Sequence, residues 1–86
     1  MFIIIPSKKF VKSFKKKDVK IQQQIKIKIR ILKEDSLNPI LNNHKLKGEY
    51  AGFNSINITG DYRLIFEYID KDTVLLIDID THSNLY

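Results

Sequence analysis

The sequence predicts an α+β fold in one small domain. Its strand and helix patterns follow in the order β-α-α-β-β-β. Three observations carry this. The chain has only 86 residues, enough for one core and no more. Apolar residues recur at helical spacing in the first 35 residues and alternate at strand spacing after residue 53. The later alternating runs are separated by short polar turns, the mark of an antiparallel meander. A mainly antiparallel four-stranded sheet with an N-terminal helical hairpin on one face satisfies all three, with residues 1–86 as a single domain.

Each element has a local reason. Phe2 to Ile5 is a short apolar run before Pro6, and it reads as a strand buried on both faces or nearly so. Ser7 stands where a hydroxyl would cap a helix. Phe10, Val11 and Phe14 then form one apolar stripe, and Lys8, Lys9, Lys12, Lys15, Lys16 and Lys17 fill the rest of a helix of about three turns. Asp18 is a second cap. Residues 19–35 fit two patterns. Ile25, Ile27, Ile29 and Ile31 alternate with cations as in a strand, while Ile21, Ile25, Ile29 and Leu32 make a helical stripe. The length of the segment favours the helix, since strands average about 5–6 residues. The two helices should run antiparallel about a turn at residues 16–18.

Asn38-Pro39 and Asn42-Asn43 mark residues 36–43 as a loop. Residues 44–52 continue as a connection, in which Gly48 and Gly52 permit unusual backbone angles. Strands follow at 53–58, 62–69 and 73–79, with turns at Thr59-Gly60-Asp61 and Asp70-Lys71-Asp72. Tyr62, Leu64, Phe66 and Tyr68 should share one face.

Composition narrows the function. No cysteine means no disulfide, thiol chemistry or Cys-based zinc site. No apolar run approaches the roughly 20 residues of a membrane span, and the N-terminus lacks the order of a secretory signal, so a cytoplasmic protein is expected. The net charge of +5 is unevenly placed. Residues 1–35 hold 11 Lys+Arg against three acids, for +8; residues 36–86 hold four against seven, for −3. Such a basic half suits an anionic partner or a solvated helix surface equally. His44 and His82 lie on different elements without an i, i+4 partner, so no metal and no cofactor is expected. His82, in a polar tail, is the best proton-transfer candidate. Arg63 is one of only two arginines and suits bidentate phosphate contact. An ion pair with Glu67 or Asp61 would explain it equally well.

Taken together, three segments resemble the RelE/YafQ family of bacterial toxins. They are His44-Lys-Leu-Lys-Gly-Glu-Tyr-Ala-Gly, Ile58-Thr-Gly-Asp-Tyr-Arg-Leu-Ile-Phe-Glu-Tyr and Thr81-His-Ser-Asn-Leu-Tyr. They stand in the family's order and spacing, and the last points to the YafQ-like branch. The resemblance implies a RelE-like fold and a ribosome-dependent, metal-independent endoribonuclease that cuts mRNA in the A site by 2′-OH attack on the adjacent phosphate. A cognate antitoxin would be its protein partner, and the ribosome and mRNA its targets. By position, the resemblance makes His82 the main general acid or base and His44 a second proton-transfer or phosphate-contacting group, with acid and base unassigned between them. Asp61 becomes an acidic site residue, Arg63 a phosphate contact and Tyr86 a terminal aromatic against a base. Lys45, Lys47, Lys12, Lys15, Lys16 and Lys26 would hold RNA phosphates. Asn57 stands where YafQ-like members often have a histidine, and it cannot transfer a proton at neutral pH. A gyrase inhibitor of the ParE type and a catalytically weakened RNA-binding homologue are the alternatives.

Overall fold

The computed structural model describes residues 1–85; Tyr86 lies outside them, and with it the expected terminal aromatic. Strand β1 (Ile3–Pro6) leads into helix α1 (Lys8–Lys15) and helix α2 (Val19–Glu34). Strands β2 (His44–Lys45), β3 (Asn54–Asn57), β4 (Tyr62–Tyr68) and β5 (Thr73–Thr81) follow, and α3 (His82–Leu85) ends the described chain. The sheet is mixed, in the order β1-β5-β4-β3-β2, with β1 parallel to β5 and every other pair antiparallel.

Both helix starts follow from capping. The Ser7 hydroxyl accepts from Phe10 N at 3.0 Å, and the Asp18 carboxylate accepts from Ile21 N at 2.9 Å. The ambiguous segment is a helix. Its Ile25 and Leu32 are fully buried, whereas Ile27, which only a strand pattern would have grouped with Ile25, is exposed. Phe2 N donates to Lys33 O at 2.9 Å, so α2 runs back toward the beginning of β1. Near the helix connection, Gln22 Nε2 donates to Phe14 O at 3.1 Å.

One sheet face meets the helices. Phe10, Ile25 and Leu32 pack there with Leu41, Ile56, Leu64, Phe66, Val74, Leu76 and Ile79. Tyr62, Leu64, Phe66 and Tyr68 do share this face, the two tyrosines as partly buried members. Complete burial of one such aliphatic side chain is worth roughly 1.5–3 kcal/mol.

Four expectations change. The sheet has five strands, because His44 and Lys45 pair with Ser55 and Asn54 instead of lying in a loop. Helix α1 has eight residues, nearer two turns than three. Part of the 36–43 loop is a 3₁₀ turn, Pro39–Leu41. Strand β1 is not buried on both faces, since it is an edge strand with Ile3 62% and Ile5 45% exposed. Apolar side chains at an edge leave one side to solvent, and composition cannot distinguish an edge from a centre.

Strand β5 changes neighbours halfway. Its first residues pair with β1, and the β4 register then skips Ile77, passing from Phe66↔Leu76 to Ile65↔Asp78. Beyond this bulge α1 takes over. Ser7 N and Oγ donate to the carbonyls of Leu76 and Ile77, and Ser13 Oγ donates to Asp78 Oδ1 at 2.9 Å.

Candidate active site

The sheet face opposite the helices carries the polar chemistry. Side chains alternate along each strand, and the register then sets them in rows. One row crosses His44, Ser55 and Ile65; the β5 partner of Ile65, Asp78, follows the bulge and turns its carboxylate to Ser13 and Lys9 of α1. The next crosses Asn57, Arg63 and Asp80. Beyond it, at the tip of the β3–β4 turn, His82 N donates to Asp61 O at 2.7 Å. The chain thus joins two sequence-distant segments at one end of the sheet, with Asp61, Arg63 and His82 drawn together.

Arg63 is held by its own turn. Its Nη1 donates to the carbonyls of Thr59, Gly60 and Tyr62, each at 3.1 Å. Among the described residues neither Glu67 nor Asp61 forms the alternative ion pair with it. Using one terminal nitrogen this way leaves the rest of the guanidinium fork for a ligand.

His44 lies on the same face but on strand β2, three strands from β5 and therefore about 14 Å across the sheet from it. Its ring is oriented locally. A carbonyl oxygen can only accept, so Nδ1 carries the proton it donates to Asn42 O at 2.9 Å. A neutral His44 then has its lone pair on Nε2. Asn42 presents that carbonyl from a left-handed conformation with φ 49°, closing the 3₁₀ turn through its own N–H to Pro39 O. The next residue is anchored as well: Asn43 Nδ2 donates to Ser36 O and Tyr68 Oη, and Asn43 Oδ1 accepts from Asn54 Nδ2. Asn42 carried no signal in the sequence beyond its loop composition.

The lysines divide. Lys45 and Lys47 are exposed at the β2 edge, whereas Lys12 and Lys15 on α1, Lys16 at its C-cap and Lys26 on α2 are exposed in the layer that covers the other face. Between those helices and β1 runs an apolar groove of about 370 Å³, lined by Ile4, Pro6, Phe10, Val11, Phe14 and Ile29 and flanked by Lys15 and Lys26. Among the described residues no group of three or more His, Asp or Glu could hold a metal, and no helix is long and apolar enough to cross a membrane.

A sequence profile described as a bacterial toxin of type II toxin-antitoxin systems, YafQ, matches residues 4–86. The chain belongs to the YafQ toxin family. Solved structures agree on the fold of this YafQ-family toxin. Escherichia coli YafQ is 19% identical, with a TM-score of 0.79 over 100% of this chain and 99% of that one. The toxin in the E. coli DinJ–YafQ complex is 20% identical at TM-score 0.77, over 100% and 99%. A Helicobacter pylori protein known from its solution structure is 25% identical at TM-score 0.76, over the whole of both chains. No curated protein matches this YafQ-family sequence.

Proposed function

We propose that this toxin is a ribosome-dependent endoribonuclease that cuts mRNA in the A site without a metal. The observation that carries the proposal is the convergence of Asp61, Arg63 and His82 at one end of the sheet face opposite the helices, fastened by the His82–Asp61 backbone bond. Cleavage needs three functions: a base to remove the 2′-OH proton, a cation to hold the phosphate and an acid for the leaving oxygen. His44, with its lone pair on Nε2, serves as the base. The 2′ oxygen then bonds to phosphorus while Arg63 stabilises the phosphate's charge. The P–O5′ bond breaks, and His82 delivers a proton to the departing oxygen. The products are a 2′,3′-cyclic phosphate and a free 5′-OH. Asp61 secures the position of His82 through its backbone. Tyr86, as the terminal aromatic, stacks on a base. Lys45 and Lys47 lie beside the RNA path, and the helix lysines hold ribosomal RNA phosphates.

An antitoxin is the natural protein partner, and E. coli YafQ has been crystallised with DinJ. The Lys-flanked apolar groove suits a segment that is acidic on one side and apolar on the other. Primer extension on a translated mRNA, with and without ribosomes, tests the activity. Cleavage should require ribosomes, and His82→Ala should abolish it while antitoxin binding persists. Undiminished cleavage by that variant refutes the role of His82. Loss of gyrase supercoiling with intact mRNA would refute the ribonuclease reading itself.

A further inference from the structure

One cation near the catalytic end is built into the fold and faces no anion. Lys17 stands in the connection between α1 and α2 and is half-buried, whereas its neighbours Lys12, Lys15 and Lys16 are exposed. Its Nζ donates to Ser13 O at 3.3 Å and lies over the Tyr62 ring, 5.9 Å from the ring centre. Among the described residues no carboxylate pairs with it. The Ser13 carbonyl takes one ammonium proton and leaves the other two for a ligand. An ammonium drawn partly out of water is better held when an anion faces it, and the fold supplies none.

Tyr62 fixes where that charge stands. It opens β4 between Asp61 and Arg63, and it pairs with Thr81, the residue before His82. Its ring packs on the helix side of the sheet, while alternation turns Arg63 to the opposite side. Lys17 and Arg63 therefore flank the same end of the sheet, one on each side of it. Arg63 also lacks a carboxylate partner among the described residues. Two such cations at one end suit two anions carried by one chain.

We infer that Lys17, steadied by Tyr62, forms a second phosphate subsite that holds an mRNA phosphate flanking the scissile one at Arg63. This rests on the ribonuclease reading and deepens it. The class of anion follows from the neighbours. An RNA strand carries a charge at every nucleotide, so a strand with one phosphate at Arg63 brings another toward the opposite flank of the same sheet end. A protein carboxylate would satisfy Lys17 alone and has no tie to Arg63. The ring beneath the ammonium places the cation before RNA arrives. The subsite touches backbone only, so it adds affinity without reading sequence. It also joins the catalytic end to the exposed lysines of α1.

The test uses the full chain and single-turnover cleavage of ribosome-bound mRNA. The linkages flanking the cut are replaced one at a time by neutral methylphosphonate. Wild-type cleavage should fall about fivefold at one of them, the size of a half-exposed charged contact. Lys17→Gln should lose about fivefold on normal mRNA and lose nothing further at that linkage. Lys17→Arg keeps the charge and should stay within about twofold of wild type, with the linkage sensitivity retained. Lys71→Gln removes the same charge from the turn at the far end of the sheet and should behave as wild type. Lys17→Gln that keeps the full methylphosphonate sensitivity overturns the inference. If that variant instead binds ribosomes more weakly, its contact is with ribosomal RNA; if it only captures antitoxin more slowly, its anion is a protein carboxylate; either result overturns the mRNA subsite. A wild-type protein that cleaves no mRNA on ribosomes overturns the ribonuclease reading itself, whereas cleavage indifferent to every flanking charge overturns the subsite alone.

Discussion

Replacing Arg63 by lysine separates the turn contacts its guanidinium makes from the phosphate contact proposed for it. Nη1 contacts three carbonyls of the β3–β4 turn, all at 3.1 Å. It has only two protons, so the three contacts amount to about two full bonds. At roughly 0.5–1.5 kcal/mol net for each, and with the side chain partly exposed, the turn gains about 1–2 kcal/mol. Arg63→Ala should lose that amount, which in a domain of this size lowers Tm by roughly 5–15 °C. A lysine ammonium can bond to the turn carbonyls or face the phosphate, but it has no second nitrogen to do both. Arg63→Lys should therefore lose less than about 1 kcal/mol of stability while cleavage falls at least about tenfold. Urea denaturation followed by tryptophan-free far-UV circular dichroism gives the first quantity, and single-turnover cleavage on programmed ribosomes gives the second. The reasoning fails if Arg63→Lys cleaves like wild type, or if Arg63→Ala is as stable as wild type.

Two further outcomes follow from other contacts. Asp78 accepts from Ser13 Oγ and Ile79 N and is mostly buried, while its ion-pair partner Lys9 is 72% exposed. In urea denaturation Asp78→Ala should cost about 2 kcal/mol and Lys9→Ala less than about 0.5 kcal/mol, because exposed ion pairs contribute little; equal costs would refute this division. Capture of an acidic antitoxin by the Lys-rich helices should slow steeply as salt rises toward about 1 M in stopped-flow mixing, and a salt-independent association rate would remove charge steering from the account.

What was legible in the sequence was local. Ser7 and Asp18 announce their helices because a cap is made within three residues of chain. The face shared by Tyr62, Leu64, Phe66 and Tyr68 follows from alternation within one strand. Strand β2 escaped because two residues have no periodicity, and His44 and Lys45 are a strand only through their pairing with β3. The exposure of Ile3 and the skipped residue Ile77 depend on neighbours distant in sequence. The site divides the same way. Motifs marked Asp61, Arg63 and His82, but Lys17 is set apart from its neighbouring lysines by the Tyr62 ring, which only the folded chain brings to it.

The bare flank of β1 sets a condition on company. An unpaired strand edge invites copies of itself, yet this one spans only four residues and ends at Pro6, which has no N–H to offer. Two such flanks laid side by side would form too few hydrogen bonds to hold two molecules together. A different chain that also fills the adjoining groove gains from both surfaces at once. The short strand and its proline thus discriminate against self while leaving the door open to a guest that brings more than a strand.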